Sequence, residues 1–288
     1  MSFILPLLPG EAATKAAERY FDKEIVRMDK AKRKAIIAGN WKMNKTATEA
    51  AKLVDELIPA VKDASCEVVI CTPYTDLVTA VEKTKGTNIH VGAENVHFEK
   101  SGAFTGEISA DMLVDLGVEY VIVGHSERRK YHPEDDANIV DQVRAVLAAG
   151  MQPILCVGES FEERRQGIEL DFAVGQVRDV TRDLNEEQAA KLIVAYEPVW
   201  AIGTGMVATP QSAQDAANAI RNDLKTTFGT KVSDSVRILY GGSVTSKNAA
   251  ELISQPDVDG FLIGGAALDV EELAKIARLA LKSTKSRN

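Results

Sequence analysis

Eight short runs of β-branched and aliphatic residues punctuate the chain from about residue 34 onward. They are Ala35–Gly39, Val68–Cys71, Ile89–Ala93, Tyr120–Gly124, Pro153–Val157, Leu192–Ala195, Val236–Tyr240 and Gly260–Gly264. Each is nearly continuous in apolar character rather than alternating, which marks strands buried on both faces, as in a parallel sheet. Between the runs, apolar positions recur at helical spacing, as in Thr48–Val61, Glu134–Ala149 and Gln211–Thr226. Thr46 and Thr48 stand where the first helix needs a cap, and Gly150 follows the fourth. Eight strand–helix units over roughly 250 residues predict an α/β fold, a closed (β/α)8 barrel forming a single domain. The alternative is an open doubly wound sheet. It lacks support, because no strand-to-helix turn carries G-x-G-x-x-G with an acidic residue after the next strand.

Residues 1–33 precede this pattern. Ala13, Ala17, Tyr20 or Phe21, Ile25 and Met28 recur at three- to four-residue spacing and predict an amphipathic helix from about Ala12 to Lys32. Its apolar stripe has three readings: it docks on the barrel, it docks on a partner subunit, or it belongs to a mobile arm. The expected division is therefore an N-terminal extension, 1–33, and a barrel catalytic domain, 34–288.

Composition narrows the class. With 45% hydrophobic and 26% charged residues the chain has a globular profile, and no apolar run approaches a membrane span. A net charge of −8 argues against a broad nucleic-acid surface. The opening decapeptide has no basic n-region and is broken by Pro6 and Pro9; Glu11, Glu18, Asp22 and Glu24 follow. That is unlike a targeting segment, so the expected location is cytoplasmic. Cys66, Cys71 and Cys156 are odd in number and lack C-x-x-C spacing, which suits reduced core or near-core thiols. His90, His97, His125 and His132 show no metal-ligand spacing.

Barrel chemistry gathers at the C-terminal ends of the strands. The first strand ends Gly39-Asn40-Trp41-Lys42-Met43-Asn44, putting a lysine where an anion would enter. The fourth ends Gly124-His125-Ser126-Glu127, with Ser126 the expected helix cap. A helix start disfavours an imidazolium, so His125 suits a neutral hydrogen-bond donor to a developing oxyanion. The ordinary alternative is a buried histidine satisfied by backbone. The sixth strand runs into Glu197, then Pro198, a bulky stretch and Gly203-Thr204-Gly205. This mounts a carboxylate at a rigid strand end beside a movable cover, as a general base in a water-excluding site requires. Tyr240-Gly241-Gly242-Ser243 and Ile263-Gly264-Gly265 end the last two strands. Paired glycines there form a phosphate cradle, or simply tight turns needing positive φ. Together these residues suit proton abstraction beside a carbonyl in a small phosphorylated substrate.

With those motifs assembled, and with Ser101–Ser109, Val123–Arg129, Ala195–Gly205 and Asp259–Gly265 beside them, the chain resembles the triosephosphate isomerase family from about Arg33 to its C-terminus. The resemblance implies a TIM barrel and an isomerase of glycolysis and gluconeogenesis. It would interconvert dihydroxyacetone phosphate and D-glyceraldehyde 3-phosphate through an enediolate, without metal or cofactor. It implies Glu197 as general base, His125 as electrophile and proton shuttle, and Lys42 and Asn40 on the substrate oxygens. Backbone at Gly203, Ser243, Gly264 and Gly265 would hold the phosphate, and Pro198 to about Thr209 would form the lid. Glu127 and Ser126 would support the site. The loop Asn95–Ser109 would insert into a second subunit, with Thr105 reaching the partner's active site; the implied assembly is a homodimer, open to higher order through the extension. The chain departs from the family's pattern at Lys45 (glycine is common), Glu94 (glutamine), Met206 (lysine) and Ala267 (serine).

Two other functions remain to be weighed. An aldolase or epimerase on the same barrel needs a Schiff-base lysine within a strand or a set of metal ligands, and the sequence offers neither. A non-enzymatic binding barrel would have lost Glu197, His125 or Lys42, and all three are present.

Overall fold

A computed structural model describes residues 33–202 and 208–285. The expected helix at Ala12–Lys32 and the lid centre, including Gly203 and Met206, lie outside the described residues.

Eight parallel strands close on themselves in sequence order. They are β1 (Ile36–Asn40), β2 (Glu67–Thr72), β3 (Ile89–Ala93), β4 (Tyr120–Val123), β5 (Gln152–Val157), β6 (Ile193–Tyr196), β7 (Arg237–Tyr240) and β8 (Gly260–Ile263). β1 completes the ring by pairing with both β2 and β8. Each predicted strand is present, shifted by a residue or so. The open-sheet alternative is thereby excluded.

Alternation explains why the runs look continuously apolar. Ile36, Ala38, Val69, Cys71, Ile122, Ile154, Cys156, Ile193, Ala195, Leu239 and Leu262 pack together inside the barrel. Their sequence neighbours, such as Ile37, Val68, Ile70, Val121, Leu155, Val194 and Phe261, pack outward against the helices. Both faces lose water, so both select hydrocarbon. The three cysteines are free and buried. Burial pushes the Cys66 thiol up to about 11 and raises those of Cys71 and Cys156 well above the ordinary value.

A polar layer closes one end of the barrel. At the N-terminal ends of the strands, Arg237 bonds Glu67 (2.8 Å) and Gln152 (2.6 Å), while Tyr120 donates to Glu67 (3.0 Å). Beside this layer Asp259 accepts from Arg33 Nε (2.7 Å) and Arg221 Nη2 (2.5 Å), all three residues being buried. Arg33 thus belongs to the barrel's framework.

The first helix, Ala47–Val61, opens on a capping box between Thr46 and Glu49, with Thr48 inside the helix. The predicted helix Glu134–Ala149 divides into a 3-10 turn, Pro133–Asn138, and a helix, Ile139–Ala148. Proline, aspartate and asparagine favour turns, and the apolar repeat starts only at Ile139. Lys45 has φ 74°, a left-handed conformation that favours glycine; this accounts for glycine being common there.

Candidate active site

The strand ends converge on a cavity of about 310 Å3. Its walls include Asn40, Lys42, His125, Glu197, Gly241–Thr245 and Ile263–Ala266. The volume lies at the lower end of ligand pockets and suits a small substrate.

Glu197 follows β6 directly. Its backbone N–H donates to Val157 O at 2.7 Å, tying it to β5. Gly158 makes this approach feasible: a Cβ there would lie 1.7 Å from Glu197 O. The carboxylate is buried and accepts twice, from His125 Nε2 at 2.9 Å and from the Ser126 N–H at 2.9 Å. Burial presses its pKa up, while the hydrogen bonds from the His125 ring and the Ser126 N–H, and the nearby Lys42, press it down. With an N–H donor on each of Oε1 and Oε2, the group is a carboxylate.

His125 is the cap of the short helix Ser126–Tyr131: its Nδ1 accepts from the Glu127 N–H at 3.2 Å. Sequence reasoning gave that role to Ser126. The structure corrects it, because Ser126 is the first helical residue and its N–H serves Glu197 instead. With the Nδ1 lone pair engaged by a backbone donor, the ring proton sits on Nε2 and the imidazole is uncharged. The alternative was a buried histidine satisfied by backbone; here Nδ1 accepts from backbone, but Nε2 faces the Glu197 carboxylate.

Lys42 occupies a left-handed turn (φ 54°) that swings the chain across the barrel mouth. Its Nζ meets Glu127 at 2.7 Å and lies over Gly264, where a Cβ would sit 3.4 Å from Lys42 Cε. The pair is partly exposed, so it contributes little to stability, but it fixes where the ammonium points. Asn40 Oδ1 accepts from the Lys42 N–H at 3.0 Å. Among the described residues its Nδ2 has no hydrogen-bond partner, and Asn40 lines the cavity wall.

The glycines after β7 and β8 have a reason the sequence left open. None of Gly241, Gly242, Gly264 and Gly265 has positive φ, so the tight-turn reading fails. After β7, space decides instead. A Cβ on Gly241 would press on Glu197 Cγ (2.9 Å), and one on Gly242 would meet the Tyr240 hydroxyl (2.2 Å). Gly265 has nothing within 4 Å, leaving its backbone bare to a ligand. Ser243, Gly264 and Gly265 all line the cavity, Glu127 lies beside it, and Gly203 lies outside the described residues. Thr105 is at the exposed tip of its loop, away from this chain's own cavity.

Sequence reasoning passed over Glu159. Its buried carboxylate accepts from Tyr196 (3.1 Å), Trp200 Nε1 (2.7 Å) and Arg164 (3.3 Å), and Arg164 lies 4.4 Å over the Trp200 ring. Burial raises its pKa against these partners. The cluster anchors the first lid residues to β5. A glutamate directly after a strand-end glycine was the available signal.

A buried carboxylate, an uncharged imidazole and an ammonium around one small cavity define a barrel enzyme for proton transfer on an anionic substrate. The triosephosphate isomerase family model matches residues 35–280. The chain is 78% identical over 264 residues to a triosephosphate isomerase of Bifidobacterium longum, covering 89% of this chain and 99% of the relative. It is 66% identical over 260 residues to that of Bifidobacterium adolescentis (88% and 98%). It is 49% identical over 244 residues to that of Caldanaerobacter subterraneus (85% and 98%). The chain belongs to the triosephosphate isomerase family, and it is an isomerase.

Proposed function

We propose that this cavity carries out the interconversion of dihydroxyacetone phosphate and D-glyceraldehyde 3-phosphate, with Glu197 as the base and neutral His125 as the electrophile. The phosphate lies against Ser243, Gly264 and Gly265; the substrate carbonyl oxygen takes the place of Glu197 at His125 Nε2, and the reacting carbons lie against the displaced carboxylate. Glu197 takes a proton from the carbon beside the carbonyl. Nε2–H of His125 donates to the carbonyl oxygen as negative charge grows there. Lys42 balances the anionic substrate and Asn40 Nδ2 donates to its oxygens. His125 then passes a proton from the substrate hydroxyl oxygen to the former carbonyl oxygen, and return of the first proton from Glu197 to the neighbouring carbon completes the exchange.

The resting contacts add a coupling. A substrate carbonyl that takes the His125 proton removes one of the bonds holding Glu197 ionised. Moving toward the substrate removes the other, from Ser126. Both changes raise proton affinity, so the carboxylate becomes a stronger base as it engages. An enediolate beside a phosphate tends to expel it, so the lid that begins at Pro198 serves to exclude water and hold the phosphate in place.

The supporting observation is the 2.9 Å contact between Glu197 and His125 Nε2, with Nδ1 already occupied by backbone. The assembly we propose is a homodimer through Asn95–Ser109, with Thr105 at the neighbouring site. Met43 supports it, because it is 95% exposed in one chain immediately beside Lys42. No described helix is long and apolar enough to cross a membrane, which is compatible with a cytoplasmic location. A coupled assay with glyceraldehyde 3-phosphate tests the activity, and absence of turnover by folded protein overturns it. His125→Ala should lower kcat by ~10²–10⁴-fold while the protein stays folded, its melting temperature falling only slightly with the lost cap. A large loss of stability instead would return His125 to a structural role.

A further inference from the structure

His125 and Glu197 follow β4 and β6, so β5 between them sets their separation. On the β6 side the link is backbone, Glu197 N–H to Val157 O at 2.7 Å. On the β4 side the ladder stops early: the register ends at Val123↔Leu155, one residue below Cys156. There Gly124, at φ 68°, turns the chain out of the sheet. The Arg129 side chain takes up the interrupted rung. Its Nε donates to Gly124 O at 2.8 Å, and its Nη2 donates to Cys156 O at 3.0 Å. Its own N–H donates to His125 O at 3.1 Å.

Three features make this an engineered-in fit of the fold rather than a surface contact. A planar guanidinium presents parallel donors at fixed spacing, which one ammonium cannot reproduce. A Cβ on Gly124 would lie 3.0 Å from Arg129 Nη2 and 2.9 Å from Ile139 Cδ1, so the glycine leaves room for the clamp. The Arg129 side chain is 22% exposed, with only its outer end reaching an exposed partner, Asp136, at 2.9 Å.

We infer that Arg129 is a positioning residue for the isomerase reaction: its guanidinium substitutes for the missing β4–β5 rung and sets the distance between His125 and Glu197. The inference rests on the proton-transfer roles proposed above for those two residues. Without the clamp the β4 end is free to shift relative to β5. A displacement of about 1 Å in such a pair can cost ~10²-fold in rate. The phosphate contacts lie across the mouth on β7 and β8, so binding should be spared.

The test compares wild type, Arg129→Ala, Arg129→Lys, Asp136→Asn and Glu197→Gln by steady-state kinetics, with competitive inhibition by inorganic phosphate. Arg129→Ala should lower kcat by roughly 10–100-fold, leaving KM and phosphate inhibition unchanged. Guanidinium chloride, well below denaturing concentration, should restore part of that kcat. Arg129→Lys should fall between, and Asp136→Asn should match wild type. A wild-type kcat in Arg129→Ala overturns the inference, as does a rise in KM that parallels the fall in kcat. Should Arg129→Ala fail to fold, Arg129→Lys decides by the same kcat-against-KM split. An inactive wild type, or an active Glu197→Gln, would defeat the underlying mechanism instead, and so separates the two failures.

Discussion

Replacing Glu94 by glutamine removes a carboxyl group that the folded chain can ionise only at a loss. Glu94 follows β3, and its Oε1 is buried with no hydrogen-bond partner among the described residues. Burial, chiefly, pushes its pKa from 4.5 up to about 8; Asp76 and Glu127 add repulsion, while the Lys42 N–H and ammonium oppose it. At about 1.4 kcal/mol per tenfold change in proton affinity, that gap is worth at most about 5 kcal/mol. The sign follows from linkage. Below pH 4.5 both folded and unfolded chains carry the proton, and the stability is fully present. Between 4.5 and about 8 the unfolded chain releases it and the folded chain keeps it. Unfolding is therefore favoured by about 1.4 kcal/mol for each pH increment of one. Glutamine fills the same volume and cannot titrate. Urea unfolding of both proteins from pH 5 to pH 9 should show similar stability near pH 5. By pH 8 Glu94→Gln should lead by several kcal/mol. Parallel pH profiles would refute the reasoning.

Two further substitutions probe the framework. Asp259→Ala leaves Arg33 and Arg221 buried without their shared carboxylate; loss of one partner of such a cluster costs ~3–5 kcal/mol, measurable by denaturant unfolding. Gly158→Ala drives a Cβ into Glu197 O; overpacking of this kind costs ~1–3 kcal/mol. The melting temperature should therefore fall and kcat should fall further than KM changes, since the shifted backbone carries the base. Unaltered kinetics in Gly158→Ala would mean that the Glu197 backbone position is not critical.

The eight strands and the four charged or polar side chains at their ends were legible because each leaves a local mark. Buried strands read as apolar runs, and Lys42, His125 and Glu197 interrupt the pattern at fixed offsets from strand ends. What remained hidden is carried by groups without a sequence signature. The Ser126 N–H that holds Glu197 is a backbone donor any residue supplies, so the serine looked like the cap when His125 was. The glycines after β7 were seen, but positive φ and lack of space select the same residue, and only the packing of Glu197 against Gly241 and of Tyr240 against Gly242 tells the two apart. Arg129 was read as part of a motif. Its contacts to the Gly124 and Cys156 carbonyls depend on the strand register, which no local pattern encodes.

The account stands most directly on Glu197→Gln, assayed for kcat with glyceraldehyde 3-phosphate and for inhibition by inorganic phosphate. The amide keeps the shape of the side chain and loses its basicity. The expected outcome is a kcat lower by at least ~10²–10⁴-fold, with phosphate inhibition unchanged. A near-normal kcat would contradict the assignment of the base, and with it the chemistry assigned to the barrel mouth.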